Sequence, residues 1–148
     1  MKKVIKLITK NKKLLLYLTL FLIIVLIFTA VTFNKGTVTT DKWNSIEIGM
    51  STSEVEEILG KPLSTSTDNS LISENIYSDY QIMSDLNDLV PNEDLTTRMQ
   101  QLDSVYDVSE SGGHVKELKY KVTSKDGKRE AQIYFLGGIV KYINRVNE

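Results

Sequence analysis

The sequence predicts one transmembrane helix followed by a small α+β domain built on a three- or four-stranded antiparallel meander. Three observations carry this expectation: an uncharged apolar run from Leu14 to Phe33, a short helix with both ends marked between Ser51 and Pro62, and two turn signals that separate alternating apolar stretches near the C-terminus. A chain of 148 residues leaves room for one modest domain once the apolar run is set aside, since domains commonly span about 100–150 residues. The chain has no cysteine. That excludes a disulfide framework, a thiolate zinc site, a thiol nucleophile and a lipid-bearing cysteine.

The run Leu14 to Phe33 is twenty residues without a charge, fifteen of them Leu, Ile, Val or Phe. At about 1.5 Å per residue it matches a hydrocarbon core about 30 Å thick, and its insertion is favourable by about 5 kcal/mol or more. Lys2, Lys3, Lys6, Lys10, Lys12 and Lys13 precede it, whereas Lys35 and Lys42 follow closely. The positive-inside bias therefore places the basic tail, residues 1–13, in the cytoplasm and the C-terminal domain outside, as a single-pass protein of the cell membrane. A cleaved secretory signal would carry a shorter apolar stretch of about 7–15 residues and a small-residue cleavage site, to which Ala30-Val31-Thr32 is a poor match. Both readings export the domain. A buried core helix is excluded, because a domain this small could not cover it on all sides.

Charge is segregated along the chain. Residues 1–40 carry seven Lys and no acid, residues 41–110 three basic against fifteen acidic side chains, and residues 111–148 eight against four. The exported portion is therefore acidic despite a nearly neutral total, which argues against nucleic-acid binding.

Residues 34–45, with the polar stretch Gly36 to Asp41, are expected to form a short linker that keeps the domain, residues 46–148, near the bilayer. The first folded element is then marked at both ends. Ser51 is the expected N-cap, Glu54 its reciprocal capping-box residue, and Met50 can staple onto Val55. Glu54, Glu56 and Glu57 suit the positive end of the helix dipole, and Val55, Ile58 and Leu59 form one apolar face. Gly60 supplies a left-handed C′ position and Pro62 forbids continuation.

The residues Ile48, Gly49, Met50, Ser51, Glu54, Val55, Leu59, Gly60 and Pro62 resemble the signature of the BamE-like (SmpA/OmlA) domains, related in fold to β-lactamase inhibitory protein. Phe135, Gly138, Val140 and Ile143 extend the resemblance to the C-terminal hairpin. It implies short helices packed on one face of an antiparallel sheet, an exported domain that works by binding other proteins, and no catalytic residues. The chain departs from the lipoprotein members in lacking an acylated cysteine and in its long acidic insertion. A relative anchored in a single membrane fits these departures.

Ser64 to Ser70, just before the acidic segment at about residues 71–110, reads as a polar loop. Ile82, Met83, Leu86, Leu89 and Val90 then recur at helical spacing until Pro91. Leu95, Met99, Leu102 and Tyr106 suggest a second helix from near Asn92, although Val105 to Val108 could equally open a strand before Ser111-Gly112-Gly113.

In the last third, Asp126-Gly127 as a two-residue turn pairs Val122 with Ala131, Tyr120 with Ile133 and Leu118 with Phe135. Gly137-Gly138 likewise pairs Phe135 with Val140, Ile133 with Tyr142 and Ala131 with Asn144. One face, Leu118, Tyr120, Ile133, Phe135, Val140 and Tyr142, is then the core. The other carries Lys119, Lys121, Tyr134, Lys141, Ile143 and Arg145, with Gln132, Thr123 and Glu130 among them. Two readings fit this basic face: an ordinary solvated sheet surface, or a partner-binding surface anchored by Tyr, Arg and exposed aliphatic groups.

Other chemistry is sparse. His114 is the only histidine, so the usual zinc and nucleophile-base arrangements cannot be built. Asp85, Asp88, Glu93 and Asp94 lack the spacing of a calcium loop, and Gly112-Gly113 and Gly137-Gly138 lack the context of a phosphate loop. No cofactor, metal, nucleic acid or small-molecule substrate is expected. The residues point to a non-catalytic protein-interaction module at the outer membrane surface, held to the lipid bilayer by Leu14 to Phe33. The alternatives are an accessory subunit of a membrane complex whose specificity lies in the spanning helix and, remotely, an exported hydrolase.

Overall fold

A computed structural model describes residue 12, residues 16–26 and residues 35–145. The chain divides between Lys35 and Gly36 into two units. In the first, residues 16–26 are helical with their large side chains exposed. The rest of the expected span Leu14 to Phe33 and most of the basic tail lie outside the described residues. Among the described residues, no helix is long and apolar enough to cross a membrane.

The second unit is an α+β domain on a mixed sheet of five strands: β1 (Thr37–Thr39), β2 (Ser64–Ser66), β3 (Val115–Ser124), β4 (Gly127–Leu136) and β5 (Ile139–Ile143). Its helices are α1 (Thr40–Asn44), α2 (Thr52–Leu59), α3 (Asn69–Leu89) and α4 (Glu93–Glu110). The expected meander is present as β3-β4-β5. The sheet extends further because β1, parallel, and β2, antiparallel, lie end to end along the free edge of β3. Thr37 to Thr39 pair with Lys121 to Thr123, and Ser64 to Ser66 with Lys119 to Glu117.

Residues 34–45 are therefore not a spacer. The Gly36 carbonyl accepts from the Lys121 amide at 2.7 Å, β1 follows at once, and Trp43 of α1 is 1% exposed in the core. The stretch Ser64 to Ser70, expected as a loop, is instead strand β2, a turn, and the start of α3 capped by Asp68.

Helix α2 forms as its sequence predicts. Ser51 and Glu54 make the reciprocal capping box, whereas Gly60 is the C-cap with φ 77° and ψ −167°, a conformation open to glycine but not the expected left-handed helical one. The segment leading into it also seals the edge of β5. The Gly49 amide donates to the Val140 carbonyl at 3.0 Å, and the Val140 amide donates to the Met50 carbonyl at 2.8 Å. The two stretches that carry the family resemblance are thus hydrogen-bonded to each other.

One face of the sheet presents Leu118, Tyr120, Val122, Ala131, Ile133, Phe135, Val140 and Ile143. Trp43, Ile46, Val55 and Leu59 pack on it. The Trp43 and Tyr120 rings lie 6.0 Å apart, and the Tyr120 hydroxyl donates to the Gly60 carbonyl at 2.9 Å. The opposite face is not open: α3 and α4 form an antiparallel pair laid across it. Ile72, Ile76, Met83, Leu102 and Val105 close over Val115, Tyr134 and Tyr142. Helices therefore cover both faces rather than one.

Two differences in register explain where side chains point. The first hairpin turns at Lys125-Asp126, so Ser124 pairs with Gly127, Val122 with Arg129, Tyr120 with Ala131 and Leu118 with Ile133. Gly127, the first residue of the return strand, carries a φ of 126° that glycine tolerates and side-chain-bearing residues avoid. A two-residue slip preserves the side-chain alternation, so the β3 and β4 faces stand as expected.

The second hairpin keeps Phe135 opposite Val140, but beyond a bulge Tyr134 pairs with Tyr142 and Ile133 with Ile143. Lys141 is the extra residue. That one-residue offset turns Tyr142 to the α3/α4 side and Ile143 to the α1/α2 core.

Candidate functional site

The six residues expected to make a partner-binding sheet face do not form one surface. Tyr134 is fully buried beneath α3 and α4, and Ile143, 5% exposed, lies in the core on the other side. Lys141 is exposed at the bulge, whereas Lys119, Lys121 and Arg145 are partly buried. Arg145 has a structural role, donating to the Asn44 and Ile46 carbonyls. The helix pair thus covers Tyr134, and the bulge takes Ile143 to the opposite face.

In its place lies a polar layer between helices and sheet. Glu117, 2% exposed, accepts from the Asn75 amide at 3.2 Å, and the Ser73 and Ser109 hydroxyls meet at 2.7 Å across the helix pair. Asn144 donates from one amide nitrogen to Asp79 at 2.8 Å and to Gln132 at 3.1 Å. The Tyr134 hydroxyl is buried beside Glu117 without a well-formed hydrogen bond, and burial, reinforced by that carboxylate, pushes its pKa far upward.

This layer opens toward solvent near the turn between α3 and α4, as a groove of about 320 Å³. Helix α3 contributes Asp79, Ile82, Met83 and Leu86, α4 contributes Leu95 and Arg98, and Tyr142 and Asn144 lie on the sheet side. The helical period places Asp79, Ile82, Met83 and Leu86 on one stripe of α3. Of the lining residues Ile82 is 55% and Leu86 46% exposed, and Leu89 and Val90, next along the chain toward the end of α3, are 79% and 68% exposed. Pro91 and the Asn92 cap end α3 and start α4, so these side chains stand near the bend of the pair.

The polar groups are unevenly satisfied. Arg98 donates to the Arg145 carbonyl at 2.7 Å and pairs with Asp94 at 3.7 Å. Asp79 has the Asn144 amide but no ion pair; the ion pairs among the described residues are Arg98 with Asp94 and Lys116 with Glu56. Burial raises the Asp79 pKa to about 6, with the Glu117 charge adding to the rise and Asn144 and Lys119 opposing it. Burial likewise pushes Tyr142 to about 12. An apolar trough with a partly buried carboxylate in its lining can hold a side chain that is aliphatic along its length and cationic at its tip.

His114 is exposed immediately before β3. Among the described residues no group of three or more His, Cys, Asp or Glu is placed to hold a metal ion. The sequence reading found Ile82, Leu86 and Leu89 as helix positions but assigned none of them to a site. All three are exposed, and that Ile82 and Leu86 line a groove depends on residues of α4 and β5, which no local pattern reports. Comparison with known proteins gives no significant match: no family model, no curated protein and no solved structure matches this chain.

Proposed function

We propose that this chain is a membrane-tethered, non-catalytic module that binds another protein on the outer side of the membrane through the groove between α3 and α4. The observation that carries the reading is the set of exposed apolar side chains Ile82, Leu86, Leu89 and Val90 toward the end of α3, the first two of which line that groove. Exposed apolar surface gathered in one place, with a concave centre, is characteristic of a protein-docking site.

The uncharged run Leu14 to Phe33 behind six lysines supports the tether and its orientation. The BamE-like signature around Ile48 to Pro62 supports the same class of function by resemblance. A single exposed histidine and the lack of cysteine leave little for nucleophilic or acid–base catalysis.

In-cell crosslinking with mass spectrometry tests the reading, using the full chain with a photoreactive residue at Leu89 in one version and at Lys128 in another. The expected result is a defined protein adduct from Leu89 that survives exchange of Leu14 to Phe33 for an unrelated anchor. An adduct that disappears with that exchange would instead make the chain an accessory subunit whose spanning helix carries the specificity.

A further inference from the structure

We propose that the groove receives an amphipathic segment of the partner protein, with apolar side chains seated over Ile82, Leu86 and Leu95 and a lysine or arginine reaching the Asp79 carboxylate. This deepens the binding-module reading and rests on it. Two independent features select the occupant.

The first is charge around the apolar surface. Residues 69–110 carry nine carboxylates and one cationic side chain, Arg98. Asp85, Asp88, Glu93 and Asp94, which flank the groove in sequence, are all exposed. Arg98 is already engaged with Asp94 and the Arg145 carbonyl. An acidic rim attracts a basic partner and repels an acidic one, and it accelerates encounter at low salt. It also disfavours the two other occupants that an apolar patch invites. An anionic lipid surface would be repelled, and a second copy of this chain would bring two acidic rims together.

The second feature is Asp79 itself. Its carboxylate is partly buried, lacks an ion pair, and lines the apolar trough together with Met83, Leu86 and Tyr142. The groups around it are Glu117 and Lys119 from β3, Tyr134 from β4, and Tyr142 and Asn144 from the β5 strand and its end, with Arg98 on α4 across the groove. Lys119 is the cation among these that acts on Asp79, and it is outweighed by burial and Glu117. An incoming cation would supply what the site lacks. At about 320 Å³ the trough has room for a long side chain and lies at the small end of the range for ligand pockets.

The test uses the full chain in phosphatidylcholine nanodiscs, with empty nanodiscs subtracted, and two helical peptides of about three turns. Both peptides have the same leucine face; one carries arginine elsewhere and the other glutamate. The native chain should bind the arginine peptide about tenfold more tightly or better, with the preference shrinking as salt rises. Asp79→Asn should weaken the arginine peptide severalfold and leave the glutamate peptide unchanged. Leu86→Ser combined with Leu89→Ser, at positions exposed enough to keep the fold, should weaken both, while Lys128→Ala should change neither.

Equal affinity for the two peptides, or an Asp79→Asn variant indistinguishable from native, overturns the proposal. So does concentration-dependent dimerisation abolished by the leucine changes, or vesicle binding by the native chain that rises with anionic lipid. If the peptides fail while crosslinking from Leu89 still captures a defined protein, the occupant is wrong and the module reading stands. If neither yields a partner, both fall.

Discussion

Burial holds the Asp79 carboxyl near pKa 6, above its ordinary 3.8, even though the Asn144 amide donates to it. The folded domain therefore binds this proton more tightly than the unfolded chain, and stability falls as pH rises from about 4 through about 6. Asp79→Asn should remove that contribution. The melting temperatures of native and variant should diverge as pH rises through this window, the variant becoming relatively more stable. Parallel pH profiles for the two proteins would contradict the assignment. Glu54 acts in the opposite sense: hydrogen bonds from the Ser51 backbone and hydroxyl lower its pKa, so its contribution is lost in acid.

Tyr134 gives a second test at this scale. Its hydroxyl is buried without a well-formed hydrogen bond, so Tyr134→Phe should cost less than about 1 kcal/mol in chemical denaturation. A loss of several kcal/mol would mean the hydroxyl is firmly bonded to Glu117. These residues were only half legible in the sequence. Alternation placed Lys119 and Tyr134 on one face, which Glu117 shares by the same period, but that face read as a solvated or partner-binding surface rather than a covered one. The polar side chains that meet them, Asn75 and Asp79, come from α3, about forty residues away in sequence.

Among the elements, α2 was the most legible because its caps are local: Ser51, Glu54 and Gly60 define it without reference to the rest of the fold. Helix α4 begins, as its sequence indicated, beside an Asn92 cap, and the burial of Val105 against the sheet and α3 resolves the strand alternative in favour of helix. The first half of α3 was readable in retrospect. Asp68 is a cap, and Ile72, Ile76, Tyr80 and Met83 follow at helical spacing, but the intervening polar residues diluted the pattern. The β5 bulge has no such signal, since Gly137-Gly138 fixes only the turn-proximal pairs.

The elements least visible were β1 and α1, which are stabilised by distant partners. Trp43→Ala should cost about 3–5 kcal/mol by denaturant unfolding, the penalty of emptying a core aromatic. A change within about 0.5 kcal/mol would return this stretch to a linker. Gly36 sits where β1 and β2 meet, with a φ of 66°, and a Cβ there would strike the Leu63 backbone. Gly36→Ala should therefore destabilise by about 2 kcal/mol or more. Melting indistinguishable from native would show that the two edge strands do not abut.

For the whole molecule, the consequence of these packing details is a change in which surface is free. A mixed sheet with helices on both faces covers Tyr134, at the centre of the face that hairpin reasoning left open, and four exposed apolar side chains, Ile82, Leu86, Leu89 and Val90, stand near the bend between α3 and α4. Composition and charge blocks were enough to suggest export and an acidic outer domain. They could not say which surface is uncovered, because that depends on how the helix pair folds back over β3, β4 and β5.

Because the native chain has no cysteine, single-cysteine labelling in intact cells with a membrane-impermeant maleimide tests membrane orientation and surface exposure together. We predict rapid labelling at Leu89→Cys and Lys141→Cys, labelling at Lys12→Cys only after lysis, and labelling at Ile143→Cys only after denaturation. Labelling of Lys12→Cys in intact cells with Leu89→Cys protected, or Ile143→Cys reacting as fast as Leu89→Cys, would contradict the account.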